Sequence, residues 1–224
     1  MEGITINRAA INDIDFITDT IVAAEKSGTD NFGLAKLFGV EEETMKGYIH
    51  TMLDEEVDGC EMSLSSFLVA RHEGKPVAAF AGWVEGGNEG DMPSSLLKSN
   101  LIGYTLPQEC MLRSSEQADV VKALQIDREE GAYQLEYSYT LPEYRGKGIM
   151  AEIIKAHIQE AISAGCEKLQ VHVFENNTAA IKTYEKMGFE ITERFESKHP
   201  RAPEFFPSNI EYLMENINIK KYKL

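Results

Sequence analysis

The chain has 224 residues, of which 43% are hydrophobic and 26% are charged, and these proportions exclude a mostly disordered chain. Its 22 Lys and Arg residues against 37 Asp and Glu residues give a net charge of −15, which nucleic-acid phosphates and anionic membrane surfaces would repel. We therefore expect neither a nucleic acid nor a membrane as a partner.

The first part of the chain predicts strands and helices of ordinary length. Apolar residues recur at helical spacing in two stretches, 11–24 and 41–55. Runs of β-branched and apolar residues predict strands at 4–6, Phe67–His72 and 77–84. The last two runs flank a turn sequence with Gly and Pro, so we expect them to pair as a hairpin.

Residues 88–130 interrupt this regular series. A glycine-rich and acidic stretch breaks the pattern after the hairpin, and two partly helical stretches follow at 94–101 and 115–126. We predict one domain over residues 1–224, with 88–130 as an insertion.

From residue 132 onward, predicted strands alternate with predicted helices. The strands are Tyr133–Thr140, Leu169–Phe174, 191–195 and 210–214, and the helices are 150–162 and the stretch from Asn177 to Gly188. This alternation favours an α/β or α+β fold with at least one parallel crossover.

The two faces of the strand Tyr133–Thr140 differ in polarity. Strict alternation places Gln134, Glu136, Ser138 and Thr140 on one face and Tyr133, Leu135, Tyr137 and Tyr139 on the other. Glu136 is therefore expected on the more polar face.

A glycine-rich turn, 144–151, lies between this strand and the following helix. Gly146 and Gly148 allow the backbone to approach a ligand, and the first turn of a helix offers unpaired amide hydrogens and a dipole that favours anions. Arg145 and Lys147 add positive charge in an acidic chain. The turn predicts a diphosphate cradle; the alternative is a turn that only permits close packing of strand and helix.

Two of three diphosphate patterns fit this turn poorly. The P-loop pattern fails because Gly148 occupies the position of its Ser or Thr. The dinucleotide pattern GxGxx[G/A] matches Gly146, Gly148 and Ala151, and it keeps a nicotinamide-dependent oxidoreductase as an alternative. The stretch after Ala151 is short for the remaining strands of such a domain.

The third pattern is that of coenzyme A. Residues 142–148 resemble motif A of the GNAT N-acetyltransferases, whose core is [Q/R]xxGx[G/A], with Arg145, Gly148 and Met150 at the defined positions. Met150 departs from the family, in which Gly or Ala is usual. Its place on the apolar helix face predicts a side chain that points to the core.

A second block, from Asn177 to Phe189, resembles motif B of the same family and ends in Tyr-Glu-Lys-Met-Gly-Phe. Two motifs in this order are more specific than either alone. The resemblance covers residues 135–195 and implies an α+β (mixed α/β) GNAT-like fold: a central mixed, mostly antiparallel sheet flanked by helices. Within it, residues 132–195 would form the coenzyme A-binding core.

The resemblance also implies an activity. It predicts an N-acetyltransferase that moves an acetyl group from acetyl-CoA to a primary amine of a small molecule or peptide, by direct attack in a ternary complex and without a metal. A non-catalytic acetyl-CoA-binding sensor or partner module is the alternative. The coenzyme-binding residues it implies are Ser138, Thr140, Arg145, Gly146, Lys147, Gly148, Ile149, Met150, Asn177, Ala180 and Tyr184.

Acetyl transfer to an amine requires proton transfer. An alkyl ammonium, with a pKa of about 10.4, is protonated at neutral pH and cannot attack, so a base must take its proton. The resemblance implies Glu136 as this base and Tyr184 as the acid near the departing sulfur. The alternatives are a solvent-facing Glu136 and a core Tyr184. We expect His172, in an apolar strand, to be packed or hydrogen-bonded and Asn177 to cap its helix.

Several further features bear on environment and partners. The cysteines Cys60, Cys110 and Cys166 are widely spaced and form no CxxC, which argues against a disulfide framework and a structural zinc site. The N-terminus lacks a secretory pattern, so we expect a cytoplasmic protein.

Acidic residues concentrate in the first half and suggest a cationic acceptor, unless they only solvate the surface. The loop at 198–207 either shapes the acceptor site or only connects two strands, and a C-terminal edge strand could pair two chains as a homodimer.

Overall fold

The structure, a computed structural model, describes residues 3–88, 90–122, 124 and 127–222. The strands are β1 (Ile4–Arg8), β2 (Phe67–His72), β3 (Lys75–Val84), β4 (Tyr133–Thr140), β5 (Leu169–Phe174), β6 (Glu190–Glu196) and β7 (Ile210–Asn216). The helices are α1 (Ile14–Lys26), α2 (Gly33–Phe38), α3 (Glu42–Asp54), α4 (Ser94–Thr105), α5 (Gln108–Ser115), α6 (Ala118–Lys122), α7 (Ile149–Ser163), α8 (Thr178–Lys186) and α9 (Ala202–Phe205).

The seven strands form one sheet in the order β1-β2-β3-β4-β5-β7-β6. All neighbours pair antiparallel except β4 and β5, which are parallel and are joined by α7. This arrangement confirms the predicted α+β fold with a mixed, mostly antiparallel sheet and a parallel crossover. Within the part of the chain that the structure describes, no helix is both long and apolar enough to cross a bilayer.

Two hydrophobic cores lie on opposite faces of the sheet. The α1-side core contains Ile17, Ile49 and Trp83 and is covered by the first helices. The α7-side core contains Phe80 and Ile154 and lies under α7 and α8. Because side chains alternate along a strand, β3 contributes to both cores and is buried on both faces.

The parallel strands β4 and β5 separate along their length. Their pairing runs from Tyr133 and Leu169 to Leu135 and Val171 and ends there. Beyond this point β4 pairs only with β3, and β5 pairs only with β7. The sheet therefore opens into a V-shaped gap between the second halves of β4 and β5.

A β-bulge in β4 overturns the predicted alternation of its side chains. Ala79 and Ala81 of β3 oppose Tyr139 and Glu136, so β4 holds one extra residue, and Tyr137 has a φ of 57°. Tyr137 consequently joins Glu136 on the α1 side of the sheet, whereas Ser138 turns toward α8. The face pattern predicted beyond Glu136 is wrong because a periodic rule cannot register one inserted residue.

The helices between β3 and β4 also differ from prediction. The helix predicted at 115–126 is α6 alone over 118–122, since Ser115 ends α5, and residues 123, 125 and 126 lie outside the described residues. The sequence analysis missed α2, α5 and α9, which have eight residues or fewer. Elements this short complete too few turns to show helical periodicity.

Candidate active site

A cavity of about 500 Å³ lies where β4 and β5 separate. Glu136 and Ser138 line it from β4, His172 from β5 and Tyr184 from α8. Residues of α1, α2 and α4 line its other side, together with the end of α9 and the loop after it, 205–207. Of the two roles considered for that loop, the structure shows that it contributes to the cavity wall.

Glu136 is held by an ion pair that the sequence analysis did not predict. Its Oε2 pairs with the guanidinium of Arg128, whereas its Oε1 has no hydrogen-bond partner among the described residues. Burial raises the pKa of Glu136, and the charge of Glu61 acts in the same direction, although Arg128 and Lys98 oppose both.

Arg128 also contacts a second, fully buried carboxylate. Its Nη2 lies 3.2 Å from Glu61 Oε1, and Lys98 Nζ lies 2.8 Å from the same oxygen. Burial would raise the pKa of Glu61, but the charges of Lys98 and Arg128 outweigh it and lower this pKa to about 2. Lys98, Arg128, Glu61 and Glu136 thus form a buried charge network with equal numbers of acids and bases.

The same network anchors the segment between β3 and β4. Arg128 Nη1 donates to Ser94 Oγ at 3.0 Å, and Ser94 donates through N and Oγ to Glu85 at 2.8 and 2.6 Å. Trp83 Nε1 also donates to Glu85, at 3.1 Å, and the Arg128 guanidinium stacks on the Trp83 ring. No sequence motif marks this network, because Arg128 lies far along the chain from Ser94 and Glu61.

Tyr184 enters the gap from the side opposite to Glu136. Its ring stacks on Phe80 with centroids 6.1 Å apart, and its hydroxyl lies 3.3 Å from Ser138 Oγ. Burial raises the pKa of Tyr184 to about 12, although the Ser138 hydrogen bond opposes this. The phenol is therefore protonated at neutral pH and can act as a donor in the cavity.

His172 is half-buried, and its buried Nε2 lacks the hydrogen bond that the sequence analysis allowed. Its Nε2 has no partner among the described residues. Burial and the charge of Arg128 lower its pKa to about 4, so the imidazole is neutral at physiological pH.

The glycine turn lies at the end of β4, next to this gap. Gly146 and Gly148 have φ values of 71° and 78°, and α7 begins at Ile149. A Cβ at either glycine would meet no atom within 4 Å, so the space in front of the turn is open. Arg145 Nε donates to the Thr140 carbonyl at 3.0 Å.

The remaining motif residues are compatible with a diphosphate at this turn. Ile149 is buried, and Met150 is half-buried against the α7-side core, as predicted for the Met150 side chain. The backbone amides of the first turn are thus free of those side chains. Lys147 packs over the Tyr144 ring at the exposed surface of the turn.

Asn177 begins the second motif at the end of β5. Its Oδ1 accepts from the Ala180 amide at 3.3 Å, which confirms the predicted cap of α8. The structure brings Glu136, Ser138, Asn177 and Tyr184 into the lining of one cavity. The residues of the turn, 145–150, lie outside that lining, at the adjoining end of β4.

Comparisons with known proteins agree with this geometry. The chain matches the acetyltransferase (GNAT) family over residues 34–189. It is 44% identical over 63 residues to the uncharacterized N-acetyltransferase YycN of Bacillus subtilis, covering 28% of the chain and 40% of that protein. It is 41% identical over 54 residues to a thialysine N-epsilon-acetyltransferase of Bos taurus, covering 24% of the chain and 32% of that protein. The matches therefore span less than half of each relative.

Solved structures share the fold over nearly the whole chain. An N-acetyltransferase from Staphylococcus aureus Mu50 has a TM-score of 0.68 at 17% identity, covering 94% of this chain and 99% of that one. YncA from Salmonella typhimurium, solved with its cofactor acetyl-CoA, has a TM-score of 0.53 at 15% identity, covering 96% and 93%. Since the family match also extends over most of the sequence, the chain belongs to the GNAT acetyltransferase family, which uses acetyl-CoA as the acetyl donor.

Proposed function

We propose that this protein is an N-acetyltransferase that transfers the acetyl group of acetyl-CoA to a primary amine, by direct attack in a ternary complex. The observation that carries the proposal is the placement of Glu136 and Tyr184 in one cavity, on opposite sides of the β4–β5 gap. The thialysine N-epsilon-acetyltransferase among its relatives supports an amine as the acceptor.

In this proposal, residues 132–195 bind the coenzyme and residues 88–130 are an insertion that covers the acceptor side. Acetyl-CoA supplies the acetyl group as a thioester. The first-turn amides of α7, with Arg145 and Lys147, would hold its diphosphate. The other residues that would contact it are Ser138, Thr140, Gly146, Gly148, Ile149, Met150, Asn177, Ala180 and Tyr184.

Glu136 is proposed to act as the base. Its raised pKa brings a carboxylate closer to the basicity that proton abstraction requires, and Oε1 remains available for the acceptor or a water molecule. The acceptor ammonium gives one proton to Glu136, and its nitrogen loses a second proton as the N–C bond replaces the C–S bond.

Tyr184 is proposed to act as the acid. The phenol gives its proton to the departing sulfur and regains one from the reacting nitrogen through solvent, so that one proton is released in each turnover. A group with a pKa of about 12 stays protonated throughout the physiological range and is always ready to donate.

A binding and turnover experiment tests the proposal directly. We expect calorimetric titration to show binding of acetyl-CoA and not of NAD, and thiol release to appear with at least one primary amine. Binding without turnover across amines, polyamines and peptides would instead support a non-catalytic sensor, and binding of NAD alone would contradict both.

Replacing Tyr184 separates catalysis from binding. We expect Tyr184→Phe to lower kcat by about 100-fold, the usual contribution of a general acid, with the Kd of acetyl-CoA changed less than twofold. Phe preserves the stacking on Phe80, and Ser138→Ala serves as the control that removes only the partner hydroxyl. An unchanged kcat in Tyr184→Phe would exclude the acid role.

A further inference from the structure

Three polar side chains on the same face of the sheet point into the cavity, and they come from neighbouring strands. Val171 and Val173 of β5 pack in the α7-side core, so His172 between them faces the opposite side. On β7, Glu211 pairs in register with Phe174. Glu136, His172 and Glu211 all line the cavity.

Two of the cavity carboxylates lack a cation. Lys98 and Arg128 are already matched by Glu61 and Glu136 in the charge network described above. The other two carboxylates form no ion pair among the described residues: Glu25 accepts a hydrogen bond from the Tyr137 hydroxyl at 2.8 Å, and Glu211 has no described partner. Among the described residues that line it, the cavity therefore has two more carboxyl groups than cations.

The pKa values of both carboxyl groups are raised, which is consistent with a site that lacks positive charge. Burial, followed by repulsion from Glu136 and Glu25, raises the pKa of Glu211 to about 8, although Arg128 opposes this. Burial also raises the pKa of Glu25, against the charge of Lys98. A bound cation would remove this repulsion and allow both groups to ionise.

His172 is independent evidence that a ligand supplies a hydrogen-bond donor in this cavity. Its neutral imidazole places an unpartnered, buried Nε2 in the same cavity. Since an ammonium has only donors, a neutral imidazole nitrogen with a free lone pair can accept from it.

Much of the remaining cavity wall is apolar, although Ser27, Ser95, Ser99, Ser138 and Asn177 also line it. A chain of methylene groups would contact side chains of α2, of α4, of the end of α9 and of the loop after it, namely Leu34, Leu37, Phe38, Ile102, Phe205 and Phe206. Carboxyl groups beside an apolar wall fit an alkyl chain that carries more than one cation.

We propose that the acceptor is an aliphatic diamine or polyamine, whose reacting amine lies at Glu136 and whose second ammonium binds Glu211 and Glu25 beside His172. The proposal rests on the acetyl-transfer function and adds the class of substrate. A monoamine of the same length would leave the two carboxylates unpaired, and the net charge of −15 favours the approach of a dication.

Paired substrates test this directly. We expect 1,5-diaminopentane to be acetylated with a kcat/KM at least tenfold higher than 1-aminopentane. Glu211→Gln should lower this preference about tenfold. Glu193→Gln, on the exposed strand β6, is the matched control and should leave activity and preference unchanged.

A binding measurement separates this proposal from the acetyl-transfer function. We titrate 1,5-diaminopentane calorimetrically, with and without CoA, in buffers of different ionisation enthalpy. We expect proton release on binding, because Glu211 is mostly protonated at pH 7 in the free protein, and less release in Glu211→Gln.

Each outcome supports or overturns the proposal. Equal kcat/KM for both amines, or a preference unaltered by Glu211→Gln, overturns it and leaves the acetyl-transfer function standing. Binding of the diamine with Glu211-dependent proton release but no turnover supports the diamine site and contradicts acetyl transfer. Absence of both turnover and diamine binding overturns both.

Discussion

Arg128 connects the proposed base to the buried interior. It pairs with Glu136 at the cavity and with the fully buried Glu61 behind it, and its guanidinium lies 5.1 Å from the centroid of Trp83. A planar guanidinium can bridge two carboxylates and stack on an indole at once, which a lysine ammonium cannot do. Arg128 therefore affects both the ionisation of Glu136 and the packing of the segment between β3 and β4.

Removing this guanidinium should change the pH dependence of catalysis. The Arg128 charge lowers the pKa of Glu136, so in Arg128→Met the base is protonated up to a higher pH and the acid limb of kcat/KM moves to higher pH. A pH–rate profile measures this shift. We also expect a loss of about 3–5 kcal/mol in the free energy of unfolding, measured in urea, because buried carboxylates lose a partner.

Arg128→Lys is the control for charge. It keeps a cation near Glu136, so the acid limb should stay close to that of the unaltered protein even if the two-carboxylate bridge is lost. An unshifted acid limb in a folded Arg128→Met variant would show that Glu136 does not limit the rate.

At the scale of elements, helix α7 carries a positive-φ glycine at each end. Gly148 at its N-terminus has a φ of 78°, and Gly165 after its C-terminus has a φ of 84°. A Cβ at either position would meet no atom within 4 Å. The two sites therefore impose the same backbone strain on a side chain, but only Gly148 adjoins the proposed diphosphate cradle.

This pair allows backbone strain to be distinguished from coenzyme binding. We expect Gly148→Ala and Gly165→Ala each to cost about 1 kcal/mol in unfolding free energy, since L-residues disfavour positive φ. Only Gly148→Ala should also raise the Kd of acetyl-CoA, by about tenfold, because its methyl group occupies the open space before the turn. Equal effects of both variants on this Kd would contradict the cradle.

For the whole molecule, buried carboxylates make stability depend on pH. Glu211 has a folded pKa of about 8, above the value of about 4.3 in an unfolded chain. Between these values the folded state binds more protons than the unfolded state, so stability falls as pH rises. The lowered pKa of Glu61, about 2, acts in the opposite sense but only below about pH 4.3.

Replacing Glu211 should therefore stabilise the protein at alkaline pH. Relative to the unaltered protein, Glu211→Gln should gain on the order of 2 kcal/mol of unfolding free energy between pH 6 and pH 8.5. Urea unfolding at the two pH values measures this, with Glu193→Gln as the variant expected to show no gain. A gain equal at both pH values would mean that Glu211 does not titrate in this range.

Local sequence signals predicted most of the framework of this protein. The hairpin of β2 and β3, the crossover helix α7, the Asn177 cap and the glycine turn were all predictable because each depends on residues close together in the chain. Helical periodicity likewise predicted that the Met150 side chain would pack against the core, and it packs against the α7-side core.

Only the tertiary structure decided the details of the candidate site. The bulge at Tyr137 exchanged the faces of the side chains that follow Glu136 in β4, and the separation of β4 from β5 opened the cavity. Arg128, Lys98 and Glu61 meet Glu136 there, although they come from separate elements and share no periodic pattern. The sequence by itself thus determined the order of elements and the motif residues, which depend on local interactions. Strand register, the charge network and the place of Glu211 in the cavity depend on contacts between distant segments, which no local pattern encodes.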